Sequence, residues 1–230
     1  MSNTLRSMEL EPAIIFEDEH LVVVDKPSGM VVYPDGKHEY PALDAWLTER
    51  YGAVQFVHRI DRETSGTLVV ARTERAFLNL KKQFQRRLVQ KTYRAFVHGA
   101  LGDERGRIER PIGSARGGLG PRSARRPYGT VRDALTLWRR IASTKGVSYV
   151  EVFPKTGRTH QIRVHFASVG HPVVGDPLYA DGRAPLLGFE RLALHAFSIT
   201  LAHPLSGETV RCEAPLPPDF LEAERQLRAG

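Results

Sequence analysis

The chain has 230 residues, 41% of them hydrophobic, 26% charged and 8% aromatic, which is the composition of a globular protein and excludes a disordered or fibrous one. No apolar run reaches the ~20 residues a membrane-spanning helix needs, and the start MSNTLRSMELEPAII lacks the basic-then-apolar order of a signal peptide. The single cysteine, Cys212, excludes an internal disulfide framework and a cysteine-rich zinc finger, so a cytoplasmic protein is expected.

Net charge is +7, but residues 81–126 alone hold thirteen Lys/Arg against three acids, a net of +10 that leaves −3 for the remainder. A localised basic stripe points to a polyanion, of which nucleic acid is the commonest, or else to a solvated basic surface. Along the chain, Val22–Asp25 reads as a buried strand running into the KPSG turn. Pro41–Tyr51 reads as a short helix stopped by Gly52, and Thr67–Ala71 as a second strand. Thr73 caps a helix expected over Glu74–Arg87, with Ala76, Phe77, Leu80 and Phe84 on one face. Residues 89–98 alternate as a strand. Residues 111–130, with five Gly, three Pro and four Arg, read as a mobile basic loop. Ala134–Ile141 and Ser148–Phe153 follow as a strand pair, Thr159–Val169 as a helix ended by Gly170, Leu192–Leu201 as a strand, and the tail from Pro217 as a short polar helix. Strands that follow one another directly favour an antiparallel or mixed sheet with packed helices. No linker, repeat or low-complexity segment is found, so the expectation is a short N-terminal tail (1–12) and one α+β domain over 13–230.

Three segments combine polar side chains with sharp turns. The first, His58-Arg59-Ile60-Asp61-Arg62-Glu63-Thr64-Ser65-Gly66, lies between two apolar strands, and its Asp61 is either a turn residue or a functional carboxylate. The second, Lys155 to His165 (KTGRTHQIRVH), gathers two Arg and two His at a helix start, where backbone N–H groups favour anions. The third is Lys91-Thr92-Tyr93-Arg94-Ala95. The chain has no GxGxxG, Walker A, GxSxG or HExxH motif, and scattered His favour no metal site.

Together these segments resemble the RluA-type pseudouridine synthases. HRIDRETSG is similar to the signature HRLDxxTSG. DEHLVVVDKPSGMVVYP (18–34), KTYRAFVHG (91–99), KTGRTHQIRVH (155–165), GHPVVGDPLYA (170–180) and HAFSITLAHPLSGE (195–208) follow in the family's order, over residues 13–215. Ile60 and Ala180 depart mildly from the pattern. About a dozen residues before the first strand leave no room for the extra N-terminal RNA-binding domain of many relatives, so a stand-alone catalytic domain is expected.

The resemblance implies a mixed, mostly antiparallel sheet with flanking helices and a central active-site cleft, and the isomerisation of specific uridines in structured RNA, without metal or cofactor. The reaction breaks an N-glycosidic bond and rejoins the uracil through carbon 5, so its atoms sum to zero change. By the same resemblance Asp61 attacks the nucleoside or removes a sugar proton, and Arg163 is its ion-pair partner. Tyr93 packs on the flipped uracil, and Arg59 fills the gap left by the extruded base or touches phosphate. Ile162 or Val164 walls the other face of the base. Arg158 and His160 hold the turn or contact phosphate, and Lys82, Arg86, Lys91, Arg122, Arg125 and Arg126 grip RNA backbone. The expected target is large-subunit ribosomal RNA or tRNA, bound by a monomer. The rivals are a non-catalytic RNA-binding or folding factor and, more weakly, a metal-dependent RNA hydrolase.

Overall fold

A computed structural model describes residues 10–34, 36, 39–115, 122–144 and 146–229. The architecture is α+β, a mostly antiparallel sheet arrangement with four helices among the described residues. The chain folds as two compact units, Met1–Lys91 with Ala196–Pro215, and Thr92–His195 with Leu216–Gly230. Two of the boundaries fall inside strands.

In the first unit, β1 (Ala13–Glu17), β2 (Leu21–Lys26), β4 (Ser65–Ala71) and β12 (Leu194–Ala202) lie in that order, with β3 (Gln55–Phe56) on β4 and β13 (Thr209–Glu213) on β12. The β1–β2, β2–β4, β3–β4 and β12–β13 pairings are antiparallel. Every residue of β4 is buried, so that strand is apolar on both faces instead of alternating. Helix α1 spans Leu43–Tyr51. It begins later than the sequence suggests because the Leu43 and Asp44 N–H groups bond the carbonyls of Val31 and Val32. Helix α2 spans Glu74–Gln85, and its Thr73 hydroxyl accepts the Ala76 N–H at 3.3 Å, the cap the sequence predicts. Arg87 in the left-handed region (φ 59°) and the Leu88 N–H to Gln83 carbonyl bond close it two residues early. The apolar face of α2 packs with Leu21, Val23, Val69 and Ile199 into one core.

In the second unit, β5 (Gln90–His98), β11 (Val147–Pro154), β10 (Leu135–Ser143) and β6 (Arg105–Glu109) form antiparallel neighbours. Helices α3 (Gln161–Ser168) and α4 (Pro218–Ala229) cover a core of Phe96, Tyr149, Val150, Phe166, Phe189 and Phe220. The tail helix is thus amphipathic, with Phe220, Ala223 and Leu227 buried. The expected mobile loop 111–130 is instead largely structured. A small sheet of β7 (Ile112–Ser114), β8 (Arg122–Ser123) and β9 (Tyr128–Arg132) is built from it. Glycine, read as a loop signal, is needed there for close approach: a Cβ on Gly113 would stand 2.8 Å from the Tyr128 carbonyl oxygen. Residues 116–121 of that segment, Arg116 included, and most of the expected tail 1–12 lie outside the described residues.

Candidate active site

Asp61 sits in the turn that enters β4, partly exposed. The Thr64 N–H donates to the Asp61 carbonyl at 3.1 Å, and Gly66 follows at φ 109°, a conformation that L side chains rarely adopt. A Cβ at Gly66 would also run into the backbone of Ala196. The turn is pinned by the Lys26–Met30 segment. Lys26 is fully buried, and its ammonium donates to the carbonyls of Pro27 (2.8 Å), Met30 (2.8 Å) and Arg62 (3.1 Å), so a costly buried charge has a full set of acceptors. The Gly29 N–H bonds the Arg62 carbonyl at 2.8 Å and the Ser28 hydroxyl the Glu63 carbonyl at 2.6 Å. The two residues after Asp61 are therefore held through their backbones, and the turn keeps its place whatever their side chains do.

His58 fastens the other side of the turn. Its Nε2 accepts the Val69 N–H at 3.1 Å, and its ring stacks on Phe84 at 4.6 Å between centroids. Burial, aided by the Lys91 cation, pushes the imidazole down to about 3. With Nε2 accepting, the proton of the neutral ring sits on Nδ1. Arg59 is exposed, and its charge opposes the burial and the Asp44 carboxylate that together raise the Tyr33 phenol. Arg62 lies over the Tyr40 ring at 4.2 Å and pairs with Glu63 at 2.6 Å. The arginines on either side of Asp61 in this turn, not the carboxylate itself, suit an anionic substrate.

In the second unit, His160 enters α3 in the left-handed conformation (φ 55°) and supplies no side-chain cap. Gln161 instead ties the turn before the helix to the neighbouring strand. Its Oε1 accepts the Thr156 hydroxyl (2.7 Å) and the Arg158 N–H (3.1 Å), while its Nε2 donates to Leu135 O and Thr136 Oγ1, both at 3.0 Å. Thr136 thereby keeps its proton for His165 Nδ1 at 2.8 Å, and His165 Nε2–H donates to the Arg110 carbonyl at 2.9 Å. This arrangement accommodates a neutral His165, and burial pushes its imidazole down accordingly.

One turn into α3, Arg163 extends a two-pronged pair to Asp176, Nε to Oδ2 at 2.8 Å and Nη2 to Oδ1 at 2.9 Å, with side chains 1% and 0% exposed. Asp176 Oδ1 also accepts the N–H groups of Leu178 (2.9 Å) and Tyr179 (3.2 Å). The guanidinium stands 5.2 Å from the Tyr179 ring centroid. The Tyr179 hydroxyl meets His160 Nδ1 at 2.8 Å and accepts the Arg122 N–H at 2.8 Å. Sequence reasoning names neither Asp176 nor Tyr179. The available signal is a Gly-Asp-Pro turn facing a helix whose buried arginine needs an acid. Tyr93 lies on β5 opposite Val152, half-buried against the core, and Ile162 is 6% exposed within that core.

The expected RNA-gripping residues divide into two groups. Lys82, Arg86 and Arg126 are exposed. The others have protein partners: Arg122 reaches the Ser114 hydroxyl, Arg158 the Asp133 carbonyl, and Arg125 the carbonyls of Ala167 and Ser168. Lys91 is half-buried, and burial lowers its ammonium. Among the described residues, no three His, Cys, Asp or Glu side chains gather where they could hold a metal ion.

The family model for RNA pseudouridylate synthase matches residues 20–168, which include Asp61 and Arg163. A ribosomal large subunit pseudouridine synthase D of Xanthomonas campestris is 40% identical over 94% of this chain and 69% of its own length. One from Zymomonas mobilis is 39% identical over 90% of this chain and 70% of its own. The chain thus spans about two thirds of the length of these relatives. Among solved structures, human RNA pseudouridylate synthase domain containing 4 superposes with a TM-score of 0.76 at 26% identity, covering 97% of this chain and 96% of that one. Human domain containing 1 gives 0.73 at 28% identity, with 96% of each chain covered. The chain belongs to the RNA pseudouridylate synthase family, and the enzyme class that goes with it is RNA pseudouridine synthase, an isomerase.

Proposed function

We propose that Asp61 carries the reaction by which this chain converts a specific uridine of structured RNA to pseudouridine. The observation that supports it most directly is the construction of the Asp61 turn, where Lys26, Ser28 and Gly29 hold the backbone just beyond a partly exposed Asp61. In the reaction the N1–C1′ bond breaks and a C5–C1′ bond forms. The hydrogen on C5 leaves and N1 gains one, so no electrons change hands. Asp61 either adds to the nucleoside or takes a proton from the sugar.

The site is completed by residues of the matching motifs. Arg163 is the cation proposed to keep Asp61 ionised. Its Nε and Nη2 hold Asp176, which fixes the plane of the guanidinium fork. The target base must leave its stack, a step for which Arg59, exposed beside Tyr33, is the proposed wedge and Tyr93 the proposed stacking partner. Exposed Lys82, Arg86 and Arg126 supply backbone contacts that carry no sequence information. The names of the relatives favour large-subunit ribosomal RNA as the target, and tRNA is the second candidate to be tested.

The test is tritium release from RNA labelled at carbon 5 of uridine, with wild type and Asp61→Asn compared on separate ribosomal RNA and tRNA pools. Release by wild type alone is expected, with RNA binding retained by the variant. Turnover of the variant near wild type would remove Asp61 from the mechanism, whereas binding without release by either protein would favour the non-catalytic RNA-binding factor.

A further inference from the structure

We infer that the cavity at the C-terminal end of α3 is a separate phosphodiester-binding site for RNA backbone, an inference that rests on the chain acting on RNA. The cavity holds about 700 Å³ and is lined by Arg110, Ala124, Arg125, Ser168, Val169 and Gly170. Three guanidiniums converge on this helix end. Arg110 Nη1 donates to the Ser168 carbonyl at 2.7 Å. Arg125 donates through Nη2 to Ala167 O at 2.9 Å and through Nε to Ser168 O at 3.3 Å, and Arg183 reaches Gly170 O at 3.2 Å.

A helix C-terminus carries roughly half a negative charge, which one cation satisfies. Three cations leave a surplus, and among the described residues none of the three is paired with a carboxylate. Residues 110–132 hold six arginines, no lysine and no acid. Arginine is the residue that can do both tasks, since a guanidinium bonded to carbonyls along one edge still presents N–H donors along another. The helix carbonyls thus fix the orientation of Arg110 and Arg125, and their remaining donors are ordered before an anion arrives. A lysine's three donors radiate from one atom on a flexible stem and hold no fixed plane towards the anion. The contact is with phosphate and not with bases, so the site adds affinity without sequence preference.

The test is the binding of a tRNA pool between about 50 and 200 mM salt, with folding of each variant followed by thermal melting. The double variant Arg110→Gln/Arg125→Gln is expected to bind roughly tenfold more weakly and to lower the slope of log affinity on log salt by about 1.4–1.8. The double Lys variant is expected to restore the slope but stay several-fold weaker, because charge returns without the fixed donors. Val169→Glu sets a negative charge on the exposed wall of the cavity (Val169 is 37% exposed) without touching the arginines, and is expected to weaken binding as well. That variant decides the matter if the double Gln protein fails to fold. An unchanged slope in the Gln variant, full recovery by Lys, or unaltered binding of Val169→Glu would each overturn the site. Tritium release by the wild type on the same pool reports separately on the isomerase reading, so failure of one is distinguishable from failure of the other.

Discussion

Arg163 and Asp176 illustrate how much rests on one pair of side chains. Both are inaccessible to solvent, and each would be costly to bury alone. Their two parallel bonds, together with the Leu178 and Tyr179 N–H groups on Asp176, leave neither charge uncompensated. Asp176→Asn keeps the volume and one acceptor oxygen but removes the charge opposite a buried guanidinium. We expect a loss of about 3–5 kcal/mol in unfolding free energy, measured by denaturant titration, and a large drop in tritium release at temperatures where the variant stays folded. A variant as stable and active as wild type would mean that Arg163 needs no fixed partner. The turn that holds Asp61 is legible in the sequence because its motif is local, nine consecutive residues from His58 to Gly66. Asp176 is not, because its role depends on a partner thirteen residues earlier on a helix, and no local pattern announces which acid a buried arginine will choose.

At the level of elements, the sequence reads best where a cap or an apolar face sets the boundary by itself. Thr73 and the Ala76–Leu80 face place α2, and the apolar run of β4 is unmistakable. It misleads where glycine has two meanings. In 111–130 the glycines and prolines suggest a loop, yet Gly113 lies in β7 between Ile112, paired with Arg132, and Ser114, paired with Tyr128. Glycine there removes a side chain that would push β9 away. Gly113→Val is therefore expected to separate β9 from β7 while leaving the principal cores intact. Hydrogen exchange would show it as faster exchange confined to β7 and β9, with at most about 1–3 kcal/mol lost globally. Exchange unchanged in both strands would mean that the small sheet tolerates the bulk. The short strands β1, β6 and β13 escape the sequence for a related reason. Each alternates weakly beside charged residues, and their pairing partners, not their composition, make them strands.

Across the whole molecule, the positive charge that marks the protein for RNA is concentrated in one stretch of sequence, while its neutral histidines are spread through both units. His58, His98 and His165 are all pushed below the ordinary histidine value of 6.5 by burial, His58 to about 3. A folded value below the unfolded one means that the unfolded chain binds more protons within the window between them. Stability is then fully present above about pH 6.5 and falls as the pH drops below it. Each such group contributes a slope of up to about 1.4 kcal/mol per pH unit. For His58 burial and the Lys91 cation lower the value, and protonating Nε2 would also break the bond from Val69 N–H that holds the Asp61 turn to β4. Denaturant midpoints measured from pH 7 to pH 4 should therefore fall steeply. In His58→Gln, whose side-chain oxygen can still accept from Val69 but cannot titrate, the fall should be shallower by about one proton over the same range. Parallel pH profiles for the two proteins would show that His58 is already charged in the folded state and that another group sets the acid sensitivity.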